Sequence, residues 1–269
     1  MKKISIACLF LIFSGGGILV GSYFIKTTQT YEKQGRTFAY RGGDKENGKR
    51  QAQLRGCSLG CHGKNSEGAP YDGFAAPNLT GLFKDYSAEA IESVLRQGIR
   101  ADGTALYKMP SSTFQYITDQ DLSDLIAYYR SIPRLKDAVT YRKISLTKMM
   151  QISIGDIQPV VVGATNQKRY NRPAYDEQGN MTGHYIAHSI CAECHGQTLE
   201  DGFAPSLRIV TTYQLTDLTK LLTLGEAPEG RPTDLMKYMG AVHYPAFKQQ
   251  EMTNLFEYLN MELFLETHE

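Results

Sequence analysis

The sequence has no surplus of charge. Its 29 Lys and Arg stand against 28 Asp and Glu, a net charge of +1 with the histidines neutral. Such a balance gives no electrostatic case for nucleic acid, so that partner is excluded from the expectation. Tryptophan is absent, which by itself excludes nothing. Cysteine is scarce, with five in 269 residues: Cys8, Cys57, Cys61, Cys191 and Cys194. Four of them form two close pairs, and each pair runs straight into a histidine, Cys61-His62 and Cys194-His195. A disulfide framework has no use for that histidine. Length and a 42% hydrophobic content suit one or two globular domains.

Charge is also missing over one long stretch. Two lysines precede 22 uncharged residues, Ile4 to Ile25. A helix of that length, at about 1.5 Å per residue, is long enough for a bilayer core. The alternative is a cleaved signal peptide whose apolar part ends near Ser14. The apolar character continues past Gly17, so an uncleaved anchor is expected over residues 1–26, with a stalk over 27–47. Basic residues flank both sides and leave the orientation open.

The remainder contains one pattern twice, over 48–133 and 183–269. Each copy opens on a glycine and a short helical stretch before its Cys/His motif: "GKRQAQLRGCSLGCHG" and "GHYIAHSICAECHG". Each continues with an Ala-Pro element, "APNL" and "APSL". Gly98, Gly103 and Met109 recur as Gly225, Gly230 and Met236, each 127 residues on. Ser87 is placed to cap a helix that Gly98 ends. Thr118 with Asp121 resembles a capping box at the start of the closing helix. Leu122, Leu125, Ile126 and Tyr129 form the apolar face of that helix, and Met252, Leu255, Phe256 and Leu259 take the same places in the second copy. Between the copies, 134–182 shows no clear helical period. "IQPVVVG" reads as a short strand or an extended packing segment, and the whole reads as a packed linker.

Cys191-x-x-Cys194-His195 has the spacing that attaches c-type haem: two thiols for two vinyl groups and an adjacent imidazole for iron. The first motif keeps the adjacency of Cys61 and His62 but has one extra residue before it. That extra residue displaces Cys57 by about 100° of helix rotation. Gly60, inside the extra turn, is the residue whose backbone freedom can return Cys57 to its vinyl group. Single attachment through Cys61 is the alternative. Structural zinc is the rival metal, but it requires two such pairs to converge. Met109 is placed as a sixth ligand in the first copy. In the second copy Met236 matches by spacing, with Met239 and His243 as nearby alternatives. Met/His ligation suits electron transfer rather than chemistry on a bound substrate.

Taken together, "GCHG" and "CAECHG", "APNLT" and "APSL", "DGTALYKMP" and "EGRPTDLM", and the closing helices resemble the mono-haem cytochrome c domain, in tandem. The resemblance covers about 170 residues. It implies an all-α fold of two tandem cytochrome c-type helical domains behind an N-terminal transmembrane helix. It implies two covalently bound haem c groups held by Cys57, Cys61, Cys191 and Cys194, with His62, Met109, His195 and Met236 on iron. Pro77 and Pro205 would offer their carbonyls to the two proximal histidines. The whole resembles membrane-anchored dihaem cytochromes that pass single electrons among dehydrogenases, oxidases or other cytochromes. It implies an inner-membrane, single-pass protein with its domains on the periplasmic side. The alternative is a dihaem enzyme that reduces peroxide or oxidises sulfur compounds. The sequence departs from the pattern in the longer first cysteine spacing and in the missing Met-Pro of the second copy.

Overall fold

The computed structural model describes residues 6–34, 38–58, 60–137, 144–163, 172–228 and 234–262. Gly230, Lys2, Lys3 and the last residues of the second copy lie outside them. The chain is mainly helical, in two lobes joined by a linker that packs on the first.

In the first lobe, α2 (Lys45–Leu54) begins at Asp44, whose carboxylate accepts the N–H groups of Glu46 and Asn47. It crosses α6 (Asp119–Ser131), which opens at Thr118 where Oγ1 accepts the Asp121 N–H at 3.0 Å. The closing-helix pattern is borne out: Leu122, Leu125, Ile126 and Tyr129 are buried against Ala52, Phe83, Ile91 and Leu95. Each such aliphatic side chain contributes roughly 1.5–3 kcal/mol of burial. The capping box is only half present. Thr118 caps, but the Asp121 carboxylate turns into the molecule and accepts from Tyr175, Tyr185 and Asn47. Between these helices run α3 (Leu79–Asp85) and α4 (Ala88–Glu92), then α5 (Ser111–Phe114). Ser87 caps α4 as expected, and Gly98, at φ 70°, ends the π-turn that extends it.

The second lobe is also mainly helical. Helix α8 (Gly183–Ile186) leads through a π-turn into α9 (Ala192–His195). Helix α10 (Leu215–Leu224) ends at Gly225, also at φ 70°. After α11 (Asp234–Tyr238), α12 (Gln249–Glu257) closes the lobe and crosses α8. Met252, Leu255 and Leu259 are buried with Ile186, Leu199, Leu218 and Leu222. Leu54 of the first lobe belongs to this second cluster, so the apolar interior continues across the junction.

Three expectations need correction. The first lobe is not purely helical: β1 (Ala69–Tyr71) pairs antiparallel with β2 (Phe74–Ala76). Their two-residue turn is Asp72-Gly73, at φ 48° and 75°, the geometry an Asp-Gly hairpin loop favours. The linker contains a helix, α7 (Leu146–Ile154), capped by Ser145 and ended by Gly155. Its extended part is the packing segment rather than a strand, with the Val160 and Val162 N–H groups on the carbonyls of Leu106 and Gln97.

The third correction concerns the N-terminus. Helix α1 spans Ile6–Thr28, yet among the described residues no helix is long and apolar enough to cross a membrane. The expected single-pass anchor falls, and the inner-membrane, periplasmic placement falls with it. The second half of α1 is diluted by Gly21, Ser22, Lys26, Thr27 and Thr28, and it is committed to protein contacts. Ser22 Oγ donates to the Ser153 carbonyl at 2.8 Å. Lys26 Nζ donates to the carbonyls of Ile152 and Ser153 at the end of α7, each at 3.1 Å. Tyr107 donates to the Lys26 carbonyl at 2.8 Å.

Candidate functional site

The first Cys/His motif starts where α2 unwinds. The Cys57 N–H reaches back to the Ala52 carbonyl at 2.9 Å, a wider turn than an α-helix makes. Gly56, at φ 64°, takes the left-handed conformation that this widening requires. The sequence expectation put that freedom at Gly60. Gly60 is needed for a different reason: a Cβ there would lie 2.4 Å from the Gly56 carbonyl oxygen. Cys57 is buried and Cys61 half-buried. Ser66 ties the motif to α6, with Oγ donating to the Cys57 carbonyl at 3.2 Å and lying 2.9 Å from the Tyr129 hydroxyl.

His62 is buried, and its Nδ1 lies 2.8 Å from the Pro77 carbonyl oxygen. A carbonyl only accepts, so Nδ1 carries the proton and Nε2 the lone pair. Burial lowers the His62 pKa and so favours the neutral imidazole, although the Pro77 bond works the other way. Burial pushes the Cys57 thiol up to about 12 and raises that of Cys61.

The second motif is built the same way. Cys191 ends the π-turn Ala187–Cys191, and Cys194 and His195 sit on α9. His195 Nδ1 lies 2.6 Å from the Pro205 carbonyl, again leaving Nε2 with the lone pair. Burial lowers the His195 pKa and pushes the thiols of Cys191 and Cys194 up to about 12. Burial also brings the Glu193 carboxyl up to about 7. The loop after the motif folds back on it, with Gly202 N–H on the His195 carbonyl at 3.1 Å and Ala204 N–H on that of Cys194 at 3.0 Å.

A histidine fixed through Nδ1 with Nε2 free is how a protein prepares an imidazole for a metal. With one thiol adjacent to it and a second a turn earlier, each motif fits a haem attached by thioether bonds. The rival metal lacks ligands: among the described residues no three His, Cys, Asp or Glu side chains converge to hold an ion.

The sixth-ligand candidates differ in placement. Met109 is half-buried and packs against the first core. Met236 and Met239 are half-buried and pack against the second. His243 is fully buried, with Nδ1 2.7 Å from the Gln53 carbonyl and Nε2 without a hydrogen-bond partner.

One feature of the site left no mark in the sequence. Arg55, two residues before Cys57, is buried at the junction of the lobes. It donates to Tyr185 at 3.0 Å and to Ser189 at 3.2 Å, residues 130 and 134 positions away. Its partners come from a different lobe, so no local pattern announces them.

Residues 45–133 match the cytochrome c family. Over 77 residues the chain is 36% identical to cytochrome c-554(548) of Halomonas halodenitrificans, covering 28% of this chain and 84% of that protein. The chain belongs to the cytochrome c family. Over 131 residues this cytochrome is also 30% identical to the fructose dehydrogenase cytochrome subunit of Gluconobacter japonicus, covering 44% of this chain and 25% of that subunit. The chain thus spans a quarter of the length of that relative. A cytochrome c is an electron-transfer protein with covalently bound haem c. The family match falls on the first lobe, and the second lobe lies outside it.

Proposed function

We propose that this cytochrome is a two-haem electron carrier. Cys57, Cys61 and His62 hold one haem, with Met109 on its distal side. Cys191, Cys194 and His195 hold the second, with Met236 distal. The observation that supports this reading is the duplicated His–Pro carbonyl bond, His62 to Pro77 and His195 to Pro205. The bound haem supplies a one-electron iron couple. The protein would hold it through the thiols and fix the two imidazoles as neutral Nε2 donors. The donor is proposed to be a dehydrogenase, on the similarity to a fructose dehydrogenase cytochrome subunit.

Intact mass together with a pyridine haemochrome assay, on protein from a haem-competent host, tests the count. Two haems per chain are expected, and one haem refutes the two-haem reading. Co-purification with a dehydrogenase that reduces the cytochrome tests the donor. Failure of every candidate dehydrogenase to reduce it would remove that assignment.

For the second distal position, His243 is the competing group. Its Nε2 is buried and unpartnered, and its Nδ1 is already fixed on a carbonyl. The variants Met236→Ala and His243→Ala separate the two. Loss of one of two methionine–iron charge-transfer signals in Met236→Ala supports methionine. An unchanged spectrum there, with a low-spin signal lost in His243→Ala, assigns the position to histidine.

A further inference from the structure

The two haem-attachment segments lie against each other, and a buried cation sits at their contact. Arg55 precedes Cys57 by two residues, and Ser189 precedes Cys191 by two. The Arg55 guanidinium donates to Ser189 Oγ at 3.2 Å and to the Tyr185 hydroxyl at 3.0 Å. It also bonds the Gln51 side chain on its own helix. Helix α5, just after Met109, touches α9, and Gln197 donates to Thr113 at 3.4 Å across the same contact.

The cation is held, but not closed off. Asp121 Oδ2 is 4.0 Å from the Arg55 guanidinium, and both side chains are 0% exposed. Asp121 shares its charge among other donors: Tyr185 on Oδ2, and Tyr175 at 2.5 Å and Asn47 at 3.2 Å on Oδ1. Arg55 Nε is buried with no hydrogen-bond partner. Water cannot screen a charge in this setting, so its field reaches further than a surface charge would.

We propose that Arg55 is a positioning residue shared by the two haem sites, holding the attachment segments in register and raising both reduction potentials with its fixed positive charge. The inference rests on the two-haem reading above. Physically, a buried cation disfavours the oxidised, more positive iron at each site, and Asp121 acts in the opposite sense.

The test is a spectropotentiometric titration of the full chain with its haems, in the wild type and in Arg55→Gln, Arg55→Lys and Asp121→Asn. Both midpoints are expected to fall in Arg55→Gln, to recover in part in Arg55→Lys, and to rise in Asp121→Asn. Each shift should be on the order of a tenfold change in the one-electron equilibrium, ~59 mV. The opposite signs are the deciding feature. Loosened packing and water entry would lower the midpoints in all three variants alike, and that result overturns the proposal. Midpoints that stay put in Arg55→Gln overturn it too, and a shift at one haem only overturns the shared role. If Arg55→Gln does not fold, the sign in Asp121→Asn and the size of the change in Arg55→Lys decide. One haem per wild-type chain would refute the functional reading, whereas two haems with unmoved midpoints would refute this proposal alone.

Discussion

At the residue scale, the site is decided by which atom of each side chain is left free. His62 and His195 are tied through Nδ1 to Pro77 and Pro205, which leaves Nε2 as the only donor for iron. The other face of the first site is proposed to belong to Met109. Changing Met109→Ala leaves the thiols and His62 untouched, so the haem should stay attached. Its midpoint should drop, and its iron should bind added imidazole or carbon monoxide at least tenfold more tightly than the wild type. Optical titration measures this; unchanged ligand affinity would remove Met109 from the distal position. Cys57 gives a second prediction. Its backbone is brought back by Gly56 at φ 64° and by the close approach of Gly60 to the Gly56 carbonyl. Cys57→Ala should therefore keep the first haem on Cys61 alone and shift the pyridine haemochrome band to longer wavelength, as an unsaturated vinyl group requires. No shift would mean that Cys57 is not bonded in the wild type.

At the element scale, the two lobes share one packing device. Each opens on a glycine where its first helix meets its last. A Cβ at Gly48 would lie 2.0 Å from the Asp124 carbonyl oxygen of α6, and a Cβ at Gly183 would lie 2.1 Å from that of Asn254 on α12. Gly48→Ala and Gly183→Ala should each destabilise the protein by about 1–3 kcal/mol, the cost of forcing two packed helices apart. Gly21→Ala, on α1 with nothing within 4 Å, is the control and should be neutral or stabilising by up to ~1 kcal/mol. Urea unfolding reads all three, and equal effects would show that the crossings are not tight. These glycines stand at the head of each sequence repeat, which is why the repeat was legible. So were the caps at Ser87 and Thr118 and the apolar stripe of α6, because each depends on residues a turn apart. The hairpin was legible in Asp72-Gly73 but lay inside a pattern read as helical. Helix α7 escaped because only Ile152 and Ser153 of its nine residues are buried, too few to print a period. The apolar N-terminal run looked like a span, but Ser22 and Lys26 of α1 bond the end of α7, and Tyr107 bonds the Lys26 carbonyl.

At the scale of the whole molecule, polar side chains of α2 reach across the junction between the lobes. Arg50 pairs with Glu251 and donates through Nε to the Ala246 carbonyl at 2.9 Å, and Gln53 donates to the Val242 carbonyl at 2.8 Å. None of these partners was readable in the sequence, since the bonds join residues 189, 196 and 201 positions apart. The Glu251 side chain is 0% exposed, so its charge depends on what surrounds it. It keeps the N–H of Lys248 at 2.9 Å and the N–H of Met181 at 3.2 Å when Arg50 is removed. Arg50→Ala should therefore cost less than stripping a buried ion of every partner, about 1–3 kcal/mol rather than the ~3–5 kcal/mol of a fully orphaned charge. Glu251→Gln in the Arg50→Ala background removes the stranded charge and should return part of that loss. Calorimetry is the measurement. The wild type should unfold in a single transition, because Leu54 binds the first lobe into the second lobe's core. Arg50→Ala should lower and broaden that transition, as the lobes begin to melt separately. Two resolved transitions in the wild type would show that the junction does not couple the lobes, and the fixed geometry between their sites would then be lost as well.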